Sequence, residues 1–489
     1  MRRWAAGTVA LWMTLAAWAQ PSGPGLAVLQ KLLSRKDTAG AALLALRASG
    51  DPELAVLFEA AARRGDVQQR QFALEVLQEL GAQQARDVFL WTLHNDPDPD
   101  LRCQALAYLG AMKALSAAQL VELLNSPHED LRLLAGRQLL LSGQGEPARQ
   151  MLTNLAGSND PATAAMAQVS LLSLGQPEGL ESLCRLLEDP QTDPQVVVIV
   201  LEAAAEDGQT AMSQPALRVA QRAALLPVRL SAWRTYCQLC PVPTEELAGA
   251  IRGTDQTVLR VRLMWILAGR ADAQAALEGL LTDSGVTGQL ARFELARLKG
   301  DGQAAQEALR ALLTAAHPVV IDYVLERAKA DITGRKEASG FYAQPLLDLV
   351  AGVDREARKM GPEHMRAARA ATLVADLGTQ EALAALARLL AGPFNAVTRT
   401  AAAGLVQTRN PSAAELARPL LGSPYEELSG DALMALGHMG DPEAAAGLQA
   451  LLDRQDRHPV EMVALAGWYL LKVQGQQQAA AGALAESFR

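Results

Sequence analysis

Apolar residues along the chain recur at helical spacing in short blocks, and the blocks end on glycines. Between Asp100 and Gly110, Leu101, Ala105 and Leu109 fall at i, i+4 and i+8 on one helix face, with Asp100 placed to cap the N-terminus. The next block repeats this with Asp130, Leu131, Arg132, Ala135 and Leu139. Glycines that end such helices stand at Gly50, Gly81, Gly110, Gly143, Gly175 and Gly208, in steps of 31, 29, 33, 32 and 33, and Gly269 to Gly300 is again 31. Gly208 to Gly269 (61) and Gly378 to Gly437 (59) are each two steps with the middle glycine replaced. A second marker, a Leu-Leu pair near the end of the other helix, keeps the same step at Leu280-Leu281, Leu312-Leu313, Leu389-Leu390, Leu420-Leu421 and Leu451-Leu452. Turns rich in Asp, Pro and Ser, such as 96–100 and 126–130, separate the two helices. Each unit therefore reads helix A, tight turn, helix B, glycine.

This pattern predicts an all-α chain, a right-handed α-solenoid of about 12–14 stacked helical hairpins with a period near 31 residues. The β-branched run Val196–Val200 reads locally as a strand, but its place in the period is that of helix B, and helix is expected there. The low aromatic content, 4%, suits close helix packing through Ala and Leu, in which each unit buries its apolar face only against its neighbours. The repeat array runs over 26–330 and 363–489, with the Gln476, Gln477 and Gln478 run suited to a polar C-terminal cap. It breaks once, since Gly300 to Gly378 is 78, and 331–362 reads as an atypical or inserted helical hairpin.

The order of acid, aliphatic residue, arginine, then alanine four places beyond the aliphatic residue resembles the HEAT-repeat family, in its short bacterial variety, over about residues 50–475. The resemblance implies the solenoid fold and says little of activity, since such solenoids serve as adaptors, transport receptors and a few enzymes.

Targeting is expected at the N-terminus. Arg2 and Arg3, the apolar stretch from Trp4 to Ala16 and the Ala17-Trp18-Ala19 pattern read as a secretory signal peptide over 1–19, cleaved after Ala19 and followed by a turn-rich spacer, 20–25. An uncleaved N-terminal anchor is the alternative reading. The protein is thus expected in the periplasm or secreted, with no transmembrane segment after cleavage. Charge agrees with a mildly acidic exported protein: 45 basic against 53 acidic residues give −8, and −10 once Arg2 and Arg3 are removed. That balance argues against a nucleic-acid partner.

Motifs that would carry catalysis are missing: there is no G-x-S-x-G, H-E-x-x-H, Walker A or strand-linked G-x-G-x-x-G pattern. His94 with Asp96, Asp98 and Asp100 is the most metal-like cluster, but the interleaved prolines explain the acids as turn formers. Cys237 and Cys240 sit at a helix end, where a C-x-x-C pair lacks thiol activation, and read as a local disulfide or two part-buried thiols; Cys103 and Cys184 read as core residues. No catalytic residue, cofactor or metal is expected. Charge is polarised instead, positive between 211 and 270 and acidic between 411 and 461. Trp233 and Trp265, 32 residues apart, could form an aromatic ladder beside Arg229, Arg260 and Arg262, and Trp and Arg are favoured interface anchors. The competing reading places these tryptophans in the core and the arginines in pairing within the repeat. Together these features point to an exported, non-catalytic scaffold that binds a protein or peptide, of acidic character, through a concave helix-B face. An enzyme or lyase-like enzyme accessory, or a structural subunit of an envelope complex, are the alternatives.

Overall fold

The structure, a computed structural model, describes residues 23–81, 85–240, 244–314, 317–334, 337–408 and 410–488. The expected signal peptide, 1–19, lies outside them. Among the described residues there are 29 α-helices, ten short 3-10 segments and no strand. They alternate as helix A and helix B through fourteen hairpins and a final helix, so the chain is the expected all-α solenoid. Val196–Val200 lie in the helix Pro194–Glu206, started by Pro194 and by Asp193, whose side chain accepts from the Gln195 amide. Val197, Val200, Leu201 and Ala204 of that helix are buried at i, i+3, i+4 and i+7. Burial of that stripe outweighs the strand preference of single valines.

The repeat markers hold with two kinds of shift. Gly50, Gly81, Gly143, Gly175, Gly208, Gly300 and Gly378 are left-handed, with φ from 61° to 77°, as a helix-ending glycine should be. Three are not: Gly269 caps its helix in the right-handed region (φ −80°), and Gly110 and Gly437 lie inside their helices, the left-handed residues after them being Lys113 (φ 51°) and Gly440 (φ 75°). These two glycines are needed for space, since a Cβ on Gly110 would fall 2.3 Å from the Gln138 side chain and one on Gly437 2.8 Å from Cβ of Tyr469. Capping shifts too. Asp98, not Asp100, caps the helix Pro99–Ala111, and Asp130 lies in the first turn of Glu129–Leu141, where its charge faces the positive helix end.

The break before Gly378 is an irregular unit and not an extra hairpin. Helix Pro318–Thr333 ends at Gly334, 34 residues after Gly300, so the period continues through it. The excess falls in the next unit, in a 3-10 turn at Glu337–Tyr342 and a ten-residue connection, 352–361, between helices Ala343–Ala351 and Pro362–Leu377. That connection is anchored by Val353 and Ala357, which pack with Ala367, Ala396 and Val397.

The helices form two compact units, one made of the described residues from 23 to Asn95 together with 346–488, the other of those from 96 to 345. In the first, called unit 1 below, the N-terminal hairpin Pro24–Ser49 stacks on the helix Val460–Val473 as a neighbouring repeat would. The backbones approach closely there: a Cβ on Gly25 would stand 2.7 Å from the Gly467 carbonyl oxygen. Pro24 and Gly25, expected in the spacer, are thus the first residues of a packed helix. Asp51 closes this junction, accepting from the Trp468 indole at 2.6 Å and the Lys472 ammonium at 2.7 Å. The helix Gln477–Ala485 after the glutamine run buries Ala480, Ala481 and Leu484 and packs on helix Ala55–Arg64. The last hairpin is therefore covered by apolar packing, and not finished by a polar outer face as expected, because the N-terminal helices supply a matching apolar surface.

Candidate binding face

Each of the five residues picked out by the sequence is engaged inside unit 2 (96–345). Arg260 donates to the Thr254 carbonyl and Arg229 to that of Ala220, 3.4 Å away. Arg132 does the same with the carbonyls of Ser126 (2.9 Å) and Pro127 (3.2 Å). The arginine near the start of helix B thus folds back over the A–B turn and satisfies carbonyls there, which explains its recurrence. Arg262 pairs with Glu326 at 3.0 Å, both part-exposed. Trp233 is buried, edge-on to Tyr236 at 6.0 Å.

Trp265 is only part-buried, but its ring is occupied. Tyr323 meets it edge-on at 5.5 Å, and the Arg327 guanidinium lies 3.6 Å from its centre. Arg327 in turn donates to Glu294, which is completely buried and also accepts from Tyr323 and Arg297. Arg297 reaches Asp331 at 3.4 Å, and Asp331 accepts from the Tyr342 hydroxyl at 2.8 Å. Burial first, and the Glu294 charge second, hold the Tyr323 hydroxyl well above its ordinary pKa, so it remains a donor. This is a structural network joining three helix-B segments, and the expected aromatic ladder is not an exposed surface.

A different feature of unit 2 has the geometry of a site. A groove of ≈ 860 Å³ crosses four consecutive B helices, Pro99–Ala111, Glu129–Leu141, Pro161–Ser173 and Pro194–Glu206. These helices pack directly on one another along the row. Leu134, Met166 and Ile199 are part of its apolar lining, with Leu115, Leu120 and Leu141. Each of the first three is the sixth residue of its helix, so successive repeats place an apolar side chain at the same point of the groove. Arg137 spans the intervening helix to pair with Glu206 and Asp207, both at 3.0 Å, and braces the two sides. Burial pushes the Asp207 carboxyl up, and the Arg137 charge acts against that shift. At the rim, Lys113 holds its left-handed backbone, and Gln138 lies across Gly110. A strained non-glycine residue at the edge of an open apolar groove is the kind of feature that collects at ligand sites. Nothing in the sequence sets Leu134 or Met166 apart, and Ile199 stands out there only as part of the β-branched run Val196–Val200.

No group of three or more His, Cys, Asp or Glu side chains among the described residues is arranged to hold a metal ion. In the 96–100 turn the acids serve the backbone: Asp96 accepts from the Asp98 amide and Asp98 from that of Asp100, both at 2.9 Å. All four cysteines are free thiols, and burial pushes those of Cys103 and Cys237 up to about 12 and about 11, away from nucleophilic thiolates. None of the described helices is long and apolar enough to cross a membrane.

The model of the family described as HEAT repeats matches residues 54–139 and 383–467. The fold is that of a HEAT-repeat α-solenoid. Among solved structures the chain is similar to the karyopherin Kap121p, with 14% identity and a TM-score of 0.40 over 92% of this chain and 57% of that one. A second structure, Kap121p bound to the extreme C-terminus of the protein phosphatase Cdc14p, matches at 14% identity and a TM-score of 0.34, over 95% of this chain and 56% of that one. UNC-45 from Drosophila melanogaster is similar at 13% identity with a TM-score of 0.29, over 89% of this chain and 74% of its own. The chain thus spans a little over half of the karyopherin structures it matches. No curated protein sequence matches the chain significantly.

Proposed function

We propose that the protein is a non-catalytic scaffold that holds a protein or peptide segment along its helix-B face, in the unit 2 groove. The observation that carries this reading is the row of Leu134, Met166 and Ile199, one apolar side chain at one register in each of three consecutive B helices, along a groove that a fourth, Pro99–Ala111, also lines. Such a row suits an extended or helical segment, whose side chains recur at regular intervals and whose binding releases water from apolar surface. The acidic character expected of the partner rested on Arg229, Arg260 and Arg262, which are committed to carbonyls and to Glu326. The groove is lined by the exposed Lys113, Glu202 and Glu206, of mixed sign, so shape and apolar contact select the ligand more than net charge.

The test is site-specific photocrosslinking in cells, with the probe at Ile199 and, as control, at the exposed Gln150 on a helix-A segment. A discrete adduct is expected from position 199, lost when Leu134→Glu is added, and absent from position 150. Equal labelling from both positions, or an adduct indifferent to Leu134→Glu, would remove the groove from the function.

The reading includes membership of the short bacterial HEAT-like variety and export to the periplasm or outside the cell after cleavage of 1–19. N-terminal sequencing of protein purified from its native host is expected to begin at Gln20. Recovery of intact Met1 on protein in the soluble cytoplasmic fraction would overturn the export reading.

A further inference from the structure

Unit 1 carries a second, smaller groove of different chemistry. It occupies ≈ 360 Å³ at the B helices Ala396–Leu405, Glu426–Met439 and Val460–Val473, with Met360 contributed by the long connection 352–361. Met360, Met434 and Met462 line it, and the Thr400 hydroxyl donates to the Met360 sulfur at 3.8 Å, which fixes that side of the wall. Methionine is unbranched and polarizable, and it adapts to varied apolar side chains. The polar lining is Glu426, Glu427, Asp431 and Arg399, three acids against one base.

The single base is already used. Arg399 pairs with Glu427 and donates to the Arg358 carbonyl at 3.4 Å. Asp431 lies one turn beyond Glu427, a like-charge i, i+4 spacing that weakens a helix, and among the described residues it has neither a hydrogen bond nor an ion pair. It is the sixth residue of its helix, the place that Leu134, Met166 and Ile199 hold in unit 2, so the register that faces a groove carries a carboxylate here. Burial first, and Glu427 second, push this carboxyl up to about 6, against the opposing effect of Arg399. A part-buried acid with no hydrogen bond or ion pair of its own, its nearest base already paired with Glu427, is unfavourable in the free protein and gains most when a cation arrives. The surroundings favour that arrival, since 411–461 carries nine acids against three arginines.

We infer that the unit 1 groove is a docking site for a peptide segment that presents a lysine or arginine to Asp431 and an adjacent apolar side chain to Met360, Met434 and Met462. This site is separate from the unit 2 groove and does not need it. Its size admits a side chain and its neighbours, so the partner is a linear segment, and the segment is basic.

The test uses the full chain and a blocked, fluorescein-labelled peptide with a central lysine flanked by leucines, read by anisotropy. Binding is expected to fall about tenfold or more in Asp431→Asn, which keeps the shape of the side chain. It should fall similarly when the peptide lysine is replaced by norleucine, and less than about twofold in Asp453→Asn, an exposed acid of the same region. Equal losses in Asp431→Asn and Asp453→Asn would reduce the effect to bulk charge and overturn the proposal. Displacement of the peptide by calcium chloride, at an ionic strength where sodium chloride does not displace it, would reassign the acids to a metal ion and equally overturn it. Ile199→Glu is expected to leave the peptide bound. If it abolishes binding while Asp431→Asn does not, the basic segment belongs to unit 2, and this proposal fails while the unit 2 reading stands.

Discussion

Replacing Asp51 with alanine is expected to destabilise unit 1 by ~3–5 kcal/mol, the range for deleting one partner of a buried ion pair. Its carboxylate is shared between the indole of Trp468, a residue with no exposed surface, and the ammonium of Lys472. Removing it leaves an indole N–H and a charge without acceptors at the seam where the N-terminal hairpin meets helix Val460–Val473. Asp51→Asn retains an acceptor for one donor but loses the charge, and it should fall between wild type and alanine. Denaturant titration of the full chain measures this, with the tryptophan emission of the unit 1 transition as the probe. An unchanged midpoint in Asp51→Ala would mean that the seam is held by apolar helix packing alone, including the close approach of Gly25 and Gly467.

Glu294→Ala is expected to cost unit 2 a comparable ~3–5 kcal/mol, for the same physical reason, a buried carboxylate removed from its cations. Glu294 is fully buried and is shared by Tyr323, Arg327 and Arg297; without it both guanidinium groups lose their common carboxylate in a poorly solvated interior. Arg327 would still lie over the Trp265 ring, a contact worth ~0.5–2 kcal/mol and too weak to offset the lost acid. Glu294→Gln, which keeps an oxygen for the Tyr323 hydroxyl, should recover part of the loss. Calorimetry of the two variants separates these contributions, and wild-type stability in Glu294→Ala would show that Asp331 takes over both arginines.

The fold was legible because it is written many times over. A block such as Leu101, Ala105 and Leu109 is weak by itself, yet its repetition was enough to place Val196–Val200 in a helix against their own preference. Glycine was less clear a marker, since one letter serves two needs: Gly143 supplies a left-handed turn, whereas Gly110 supplies room for Gln138. The arginines misled for a related reason. Arg229 and Arg260 recur because every A–B turn needs its carbonyls satisfied, and a repeated structural role looks like a charged surface when only the sequence is in view. Neither groove could be read directly, because each combines one residue from each of several repeats, and Ile199 or Asp431 gains meaning only beside its neighbours in space. The contact of Asp51 with Trp468 is harder still, since 417 residues separate them and no period links the two.

That separation also sets an order of events during synthesis. Residues 96–345 are continuous, so unit 2 can begin to fold as soon as its last helix leaves the ribosome. Unit 1 has no such freedom: the leucines that helix Pro24–Ser34 buries against Val460–Val473, among them Leu29, stay uncovered until nearly the whole chain exists. At ~5–20 residues per second the interval is roughly 20–80 s, long compared with helix formation and collapse. Through that time the nascent chain carries an apolar hairpin whose partner helix has not yet been made, which leaves residues 24–49 the stretch most open to wrong association during synthesis.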